Sequence, residues 1–169
     1  MIIRPAIEDD IPALLEILNQ AIRDLDAIWI EREDTSDDRA RWFSERRRMN
    51  FPVFVAEDES GKVVGYGSYG TYREREGYRA TAEHSVYVLP AGQGRGIGKA
   101  LLTRLIEQAR KDGLHAMVAV IDADNQLSIE MHRKFGFTGG ERMPQVGQKK
   151  GRWRDLVQMV KLLDARAHP

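Results

Sequence analysis

The sequence predicts an α/β (α+β) domain in which a mixed, mostly antiparallel central sheet is flanked by helices. Three observations lead to it. Hydrophobic periodicity alternates between the helical and the strand repeat, giving the order β-α-α-β-β-β-α-β-α-β-β. Helical crossovers in that order place some strands parallel, while short turns elsewhere make antiparallel hairpins. The length of 169 residues at 42% hydrophobic content suits one domain, 1–169, with a core of its own.

Each element has its own signal. Met1 to Arg4 reads as a short apolar strand, and Glu8, Asp9 and Asp10 open a helix carrying Ile11, Leu14, Leu15, Ile17, Leu18 and Ile22 at helical spacing. Thr35-Ser36-Asp37-Asp38 starts a second helix, with Trp42 and Phe43 on its buried side and Arg46, Arg47 and Arg48 solvated near its end. Strands follow at Val53 to Glu57, Val63 to Tyr72 and Ala80 to Val88, the first two separated by the turn Glu59-Ser60-Gly61-Lys62. Beyond a glycine cluster come a helix from near Ile97, a buried strand at Ala116 to Ile121 and a short helix at Asn125 to Lys134. Strands near Phe137 to Met143 and Asp155 to Leu162 close the chain.

Composition removes several function classes. Twenty-six basic residues balance 26 acidic ones, so no global field favours a nucleic acid or an acidic membrane surface. Without cysteine there is no disulfide, thiolate nucleophile or Cys-based zinc site, and the four histidines lack metal-ligand spacing. Acidic residues interrupt the apolar N-terminal stretch, which therefore reads as neither a secretory signal nor a membrane span. The expectation is a cytoplasmic protein with no metal, nucleic-acid or membrane partner.

The glycine cluster, "PAGQGRGIGKALL", lies between a strand ending at Val88 and a helix beginning near Ile97. Such a loop leaves backbone N–H groups converging on one point, which favours an anion and above all a pyrophosphate. It is not a Walker loop, because Gln93 stands where the first glycine belongs and Ala100 where the metal-binding hydroxyl belongs. The dinucleotide fingerprint fails too, since the spacing is G-x-G-x-G. A tight strand-to-helix turn with no ligand is the plainer alternative.

Gln93, Gly96 and Gly98 fit the pattern [QR]-x-x-G-x-[GA], and the stretch resembles the acyl-coenzyme-A loop of the GNAT N-acetyltransferase superfamily. The segments "TAEHSVYV", "VAVIDADNQLSIEMHRKFGF" and "GQKKGRWRDLVQMV" are similar to the phosphinothricin acetyltransferase branch, and the whole chain fits its length and element order. The resemblance implies the GNAT acyl-CoA N-acyltransferase fold, acetyl-CoA as co-substrate and a homodimer. It also implies a small amino-acid analogue as acceptor, of the phosphinothricin, methionine sulfone or methionine sulfoximine type.

It further implies roles for particular residues. The strand at Val86, Tyr87 and Val88 is expected to splay from its neighbour and pair with the pantetheine arm through its main chain. Gly94, Arg95, Gly96, Ile97, Gly98 and Lys99 would hold the pyrophosphate through main-chain amides, with Arg95 or Lys99 adding charge, and Gln93 is a further coenzyme-binding residue of the motif. Asn125 is a further coenzyme contact by resemblance, although Asn125 with Ser128 also reads as a helix N-cap, and Lys134 at the far end of the short helix is expected to reach the adenosine phosphates.

An ammonium must lose a proton before it attacks a thioester, so a positioned carboxylate is the required type of group. The resemblance carries that role onto Glu83; an exposed strand residue paired with a cation is the bland alternative. His132 is a second candidate for proton handling, or else a histidine stabilising a helix C-terminus. His84, expected on the opposite face of the strand from Glu83, and Ser85 are candidate acceptor contacts. Arg73 and Arg75 suit a carboxylate clamp or are solvated loop charges, and Glu74 between them would alter the pocket. Trp29 and Trp153 are candidate pocket walls or core residues. The combined expectation is direct transfer, with the oxyanion met by a backbone N–H among Val86 to Val88. The alternatives are a GNAT enzyme for a peptide N-terminus, polyamine or antibiotic, and a non-catalytic acyl-CoA sensor.

Overall fold

A computed structural model describes residues 1–168. Among them seven strands form one sheet: β1 (Ile2–Pro5), β2 (Val53–Glu57), β3 (Val63–Thr71), β4 (Thr81–Val88), β5 (Ala116–Asp122), β6 (Thr138–Lys149) and β7 (Arg152–Leu162). Their order is β1-β2-β3-β4-β5-β7-β6. Every neighbouring pair is antiparallel except β4 with β5. That exception follows from the crossover α3 (Ile97–Lys111), because a strand that returns through a helix comes back in its starting direction.

Helices cover both faces. On one, α3 buries Leu101, Leu102 and Leu105 completely against Ala82, Met117, Ala119 and Met159, each leucine contributing about 1.5–3 kcal/mol. The shorter α4 (Gln126–Lys134) adds Ile129 to the same cluster. On the other face, α1 (Ile11–Asp24) and α2 (Ser36–Arg48) contribute Leu14, Ile17 and Phe43 to a second cluster with Val53, Val55 and Tyr66.

Local chemistry fixes the helix starts. Asp10 accepts the Ile7 amide at 2.8 Å and both terminal nitrogens of Arg4 at 2.7 and 2.8 Å, tying β1 to α1. Thr35 and Asp38 cap α2 reciprocally: the Asp38 amide donates to Thr35 Oγ1 at 3.2 Å and the Thr35 amide to Asp38 Oδ2 at 3.0 Å.

Two sequence expectations need correction. The β6–β7 hairpin is longer than expected, with β6 reaching Lys149 and β7 beginning at Arg152. Most of β6 is exposed, and register shifts after Gly139 and Met143 break its alternation, so the period-2 signal vanishes. Arg46 is not solvated like Arg47 and Arg48. It is half-buried, donates from Nη1 to the Tyr69 carbonyl at 3.2 Å and lies over the rings of Trp42 and Phe51. Among the described residues, no helix is long and apolar enough to cross a membrane.

Candidate active site

The decisive geometry is where β4 and β5 part. Their parallel pairing covers only Thr81 to Glu83 against Ala116 to Val118, yet β4 continues to Val88 and β5 to Asp122. Glu83 is therefore the last paired residue, at the vertex of a V, and beyond it Ser85 to Val88 have no strand partner on the β5 side. Main-chain groups so exposed are ready to pair with an extended ligand inserted as a strand.

The glycine loop lies at the open end of the V. Gly94 and Gly96 have φ of +74° and +80°, and Gly96 is the residue preceding the first turn of α3. A Cβ at either would meet nothing within 4 Å, so glycine is needed there for its left-handed backbone and not for space. The amides from Gly94 to Lys99 find no backbone acceptor among the described residues. They form an anion-binding nest at the positive end of a helix dipole. Ile97 contributes its amide only, since its side chain is buried in the core. Arg95 and Lys99 are exposed beside the loop. A small hollow lined by Ile17, Ala21, Leu25, Val88 and Gln93 opens next to it.

Alternation along β4 sorts the remaining groups. Glu83, Ser85 and Tyr87 point to the α1/α2 face, while Ala82, His84, Val86 and Val88 point to the α3/α4 face. Glu83 is half-buried, and loss of water pushes its carboxyl above the usual carboxylate range, with Arg46 opposing the shift.

His84 does not share the Glu83 face. It is buried and stacks on His132 of α4 with ring centroids 5.1 Å apart, and Phe137 closes the group edge-on. The tautomers follow from the partners. His132 Nδ1 lies 2.7 Å from the Ser128 carbonyl, which only accepts, so Nδ1 carries the proton and Nε2 a lone pair. His84 Nε2, 3.2 Å from that lone pair, is then the donor, and His84 Nδ1 is a bare acceptor without a partner among the described residues. Burial holds His84 neutral, down to about 3, and burial also lowers His132 against the opposing Ser128 bond.

Asn125 caps α4, accepting the Ser128 amide at 3.2 Å, and its side-chain NH2 has no partner among the described residues. Lys134 is exposed at the far end of that helix. The Trp29 indole donates to Asp122 Oδ2 at 2.8 Å, anchoring its loop to the end of β5. Asp122 also accepts from Arg154 at 2.7 and 2.8 Å and from the Asp124 amide, so that buried carboxylate organises one wall of the V. Arg73 stacks over Tyr72 and Tyr78, and Arg73, Glu74 and Arg75 are all exposed in the loop after β3. Trp153 is exposed on β7 and is no part of the core. An open groove lined by Ile7, Phe43, Phe51 and Arg104 lies elsewhere and contains none of these residues. Among the described residues no group of three or more His, Asp or Glu side chains is arranged to hold a metal.

Residues 14–137, which include the V, the glycine loop and α4, match the model of the acetyltransferase (GNAT) family. The chain belongs to the GNAT acetyltransferase family. Among its GNAT relatives is the L-methionine sulfoximine/L-methionine sulfone acetyltransferase of Salmonella typhimurium, 48% identical over 169 residues, covering 100% of this chain and 98% of the relative. The phosphinothricin N-acetyltransferase of Streptomyces coelicolor is 31% identical and covers 92% of each chain. A solved structure of yncA, an acetyltransferase from Salmonella typhimurium, with acetyl-CoA superimposes with a TM-score of 0.95 at 47% identity. It covers 100% of this chain and 97% of that one. The GNAT fold and family expected from the sequence are thus borne out.

Sequence reasoning missed Arg46, Asp122, Arg154 and Gly147. The last has a steric reason: a Cβ there would lie 2.2 Å from Trp29 Cε3 and Cζ3, so the Trp29 ring rests on the Gly147 backbone. Glycines inside strand patterns were the available signal, because they mark close approach.

Proposed function

We propose that this protein transfers the acetyl group of acetyl-CoA to the α-amino group of a small amino-acid analogue of the methionine sulfone, methionine sulfoximine or phosphinothricin type. The parting of β4 from β5 at Glu83, beside the amide nest of Gly94 to Lys99, carries this reading. In it the pantetheine arm pairs with the main chain of Val86 to Val88 while the pyrophosphate rests on the nest. Arg95, Lys99, Asn125 and Lys134 are further coenzyme contacts.

Glu83 takes the proton of the bound ammonium, directly or through a water, and burial makes it a stronger proton acceptor than an ordinary carboxylate. The free amine then attacks the thioester carbonyl, and a backbone N–H of Val86 to Val88 meets the oxyanion. Collapse expels the CoA thiolate, and the second amine proton accounts for the thiol formed. His132, with its Nε2 lone pair held by His84, is the second proton-handling residue. Trp29, Ser85 and the Arg73–Arg75 loop border the acceptor, and His84 acts through His132.

The protein works in the cytoplasm as a homodimer in this reading. In this reading the second copy packs on the outer hairpin, where Val146 and Trp153 are 56% and 66% exposed.

Release of free CoA from acetyl-CoA, measured against amino-acid analogues, ordinary amino acids, a polyamine and a short peptide, tests the proposal. Turnover confined to the analogues supports it. Turnover only with the peptide or polyamine overturns the acceptor, and tight coenzyme binding without turnover makes the protein a sensor.

A further inference from the structure

Gly70 of β3 is the cross-strand partner of Glu83. A Cβ built on Gly70 would lie 1.6 Å from Arg46 Nη1 and 2.7 Å from Arg46 Cζ, so the guanidinium occupies the very space that any other side chain at position 70 would fill. Directly opposed Cβ positions in an antiparallel pair are about 4.5–5.5 Å apart. The Arg46 cation therefore stands beside Glu83 on the same sheet face, in the place of its missing cross-strand neighbour.

We propose that Arg46, reaching through the side-chain position left open by Gly70, is a positioning residue that keeps Glu83 ionised and ready to accept the proton of the acceptor amine. This rests on the reading of Glu83 as proton acceptor.

The surroundings leave that charge free for Glu83. Arg46 forms no ion pair among the described residues, and the hydrogen bond to the Tyr69 carbonyl engages only one of its five N–H donors. Trp42 and Phe51 flank the guanidinium with centroids 5.4 and 5.6 Å from Cζ, holding it by cation–π contact without neutralising it. The other ionisable groups facing the pair are Arg39 and Glu45 of α2, Tyr66 of β3 and Tyr87 of β4. Arg39 is committed to Asp34, burial keeps both tyrosines protonated, and Glu45 attracts Arg46 from an exposed position where solvent screens it.

The separation is what makes the arrangement useful. A half-buried carboxyl with no cation nearby would take up a proton from water and lose its capacity for another. A contact ion pair would occupy its oxygens and weaken it as a base. A cation about one side-chain width away stabilises the charge while leaving the oxygens open to an incoming ammonium.

The test follows the Glu83 carboxyl itself. Protein labelled with [13Cδ]glutamate is titrated by NMR as wild type, Arg46→Met, Arg46→Lys and Gly70→Ala, with Glu83→Gln assigning the resonance. The pH profile of kcat/KM with methionine sulfone is recorded alongside. Arg46→Met should raise the Glu83 midpoint and the acid limb of kcat/KM together by about one pH unit or more. Arg46→Lys should restore most of that shift, and Gly70→Ala, whose methyl displaces the guanidinium, should reproduce the Met variant even if that variant folds poorly. A Glu83 midpoint unmoved in both Arg46→Met and Gly70→Ala overturns the proposal, as does a raised acceptor KM with both titrations unchanged, which would make Arg46 a substrate anchor. If the midpoint moves while Glu83→Gln keeps full activity, the Arg46–Glu83 link stands and the proton-acceptor reading falls.

Discussion

His84 and His132 meet Nε2 to Nε2 at 3.2 Å between β4 and α4, and the Ser128 carbonyl fixes which of them donates. Both rings are buried neutral, with proton affinities below the ordinary histidine value. The native state therefore resists protons that the unfolded chain accepts. Their stabilising contribution is whole above pH about 6.5 and is lost as pH falls from there towards the folded-state values, about 3 for His84. Urea unfolding between pH 6.5 and 5, above the range of ordinary carboxylates, should show stability falling as pH falls, with His84 contributing a slope approaching about 1.4 kcal/mol per pH unit and His132 adding to it in the same direction. His84→Gln should remove one histidine's share of that slope; an unchanged slope would contradict the assignment.

Replacing Glu83 by glutamine removes the proton acceptor and preserves the shape. At neutral pH kcat/KM should fall by about 10²–10⁴-fold. The deficit should shrink as pH rises towards the value at which the acceptor amine deprotonates unaided. Steady-state rates across pH 6–10 check this, and a constant ratio of variant to wild type would place the base elsewhere.

Gly147→Ala places a methyl where the Trp29 ring now lies, at 2.2 Å. The ring and its Asp122 hydrogen bond must shift, so the KM for the acceptor should rise about tenfold while that for acetyl-CoA stays near wild type. Bisubstrate kinetics separate the two constants. Equal changes in both would mean that the Trp29 wall serves the coenzyme.

Gly96→Ala forces an L-residue into the left-handed conformation at φ +80°, at a cost of about 1–2 kcal/mol. The amide nest should tilt and CoA should bind about tenfold more weakly by calorimetry. Gly98→Ala, at a position with ordinary φ and neighbours no closer than 3.9 Å, should be milder.

What was legible in the sequence was what local pattern encodes. The glycine loop opening α3, the Asn125 cap and the alternation putting Glu83 and His84 on opposite faces all depend on neighbours in the chain. Arg46 was not legible, because a third arginine in a basic run looks solvated until the docking of α2 carries it onto Gly70. The same holds for Trp29 against Gly147 and for His84 against His132, where register and helix packing bring distant residues together. The outer hairpin was under-read because a strand exposed on an edge needs no hydrophobic alternation.

The most direct measurement is a crystal structure of the protein with CoA and methionine sulfone bound together. The pantetheine arm should pair with the main chain of Val86 to Val88, and the pyrophosphate should rest on the amides of Gly94 to Lys99. The acceptor nitrogen should lie within about 2.6–3.2 Å of a Glu83 oxygen or one water away. An acceptor bound on the α3/α4 face, or an arm that leaves the V between β4 and β5 empty, would contradict it.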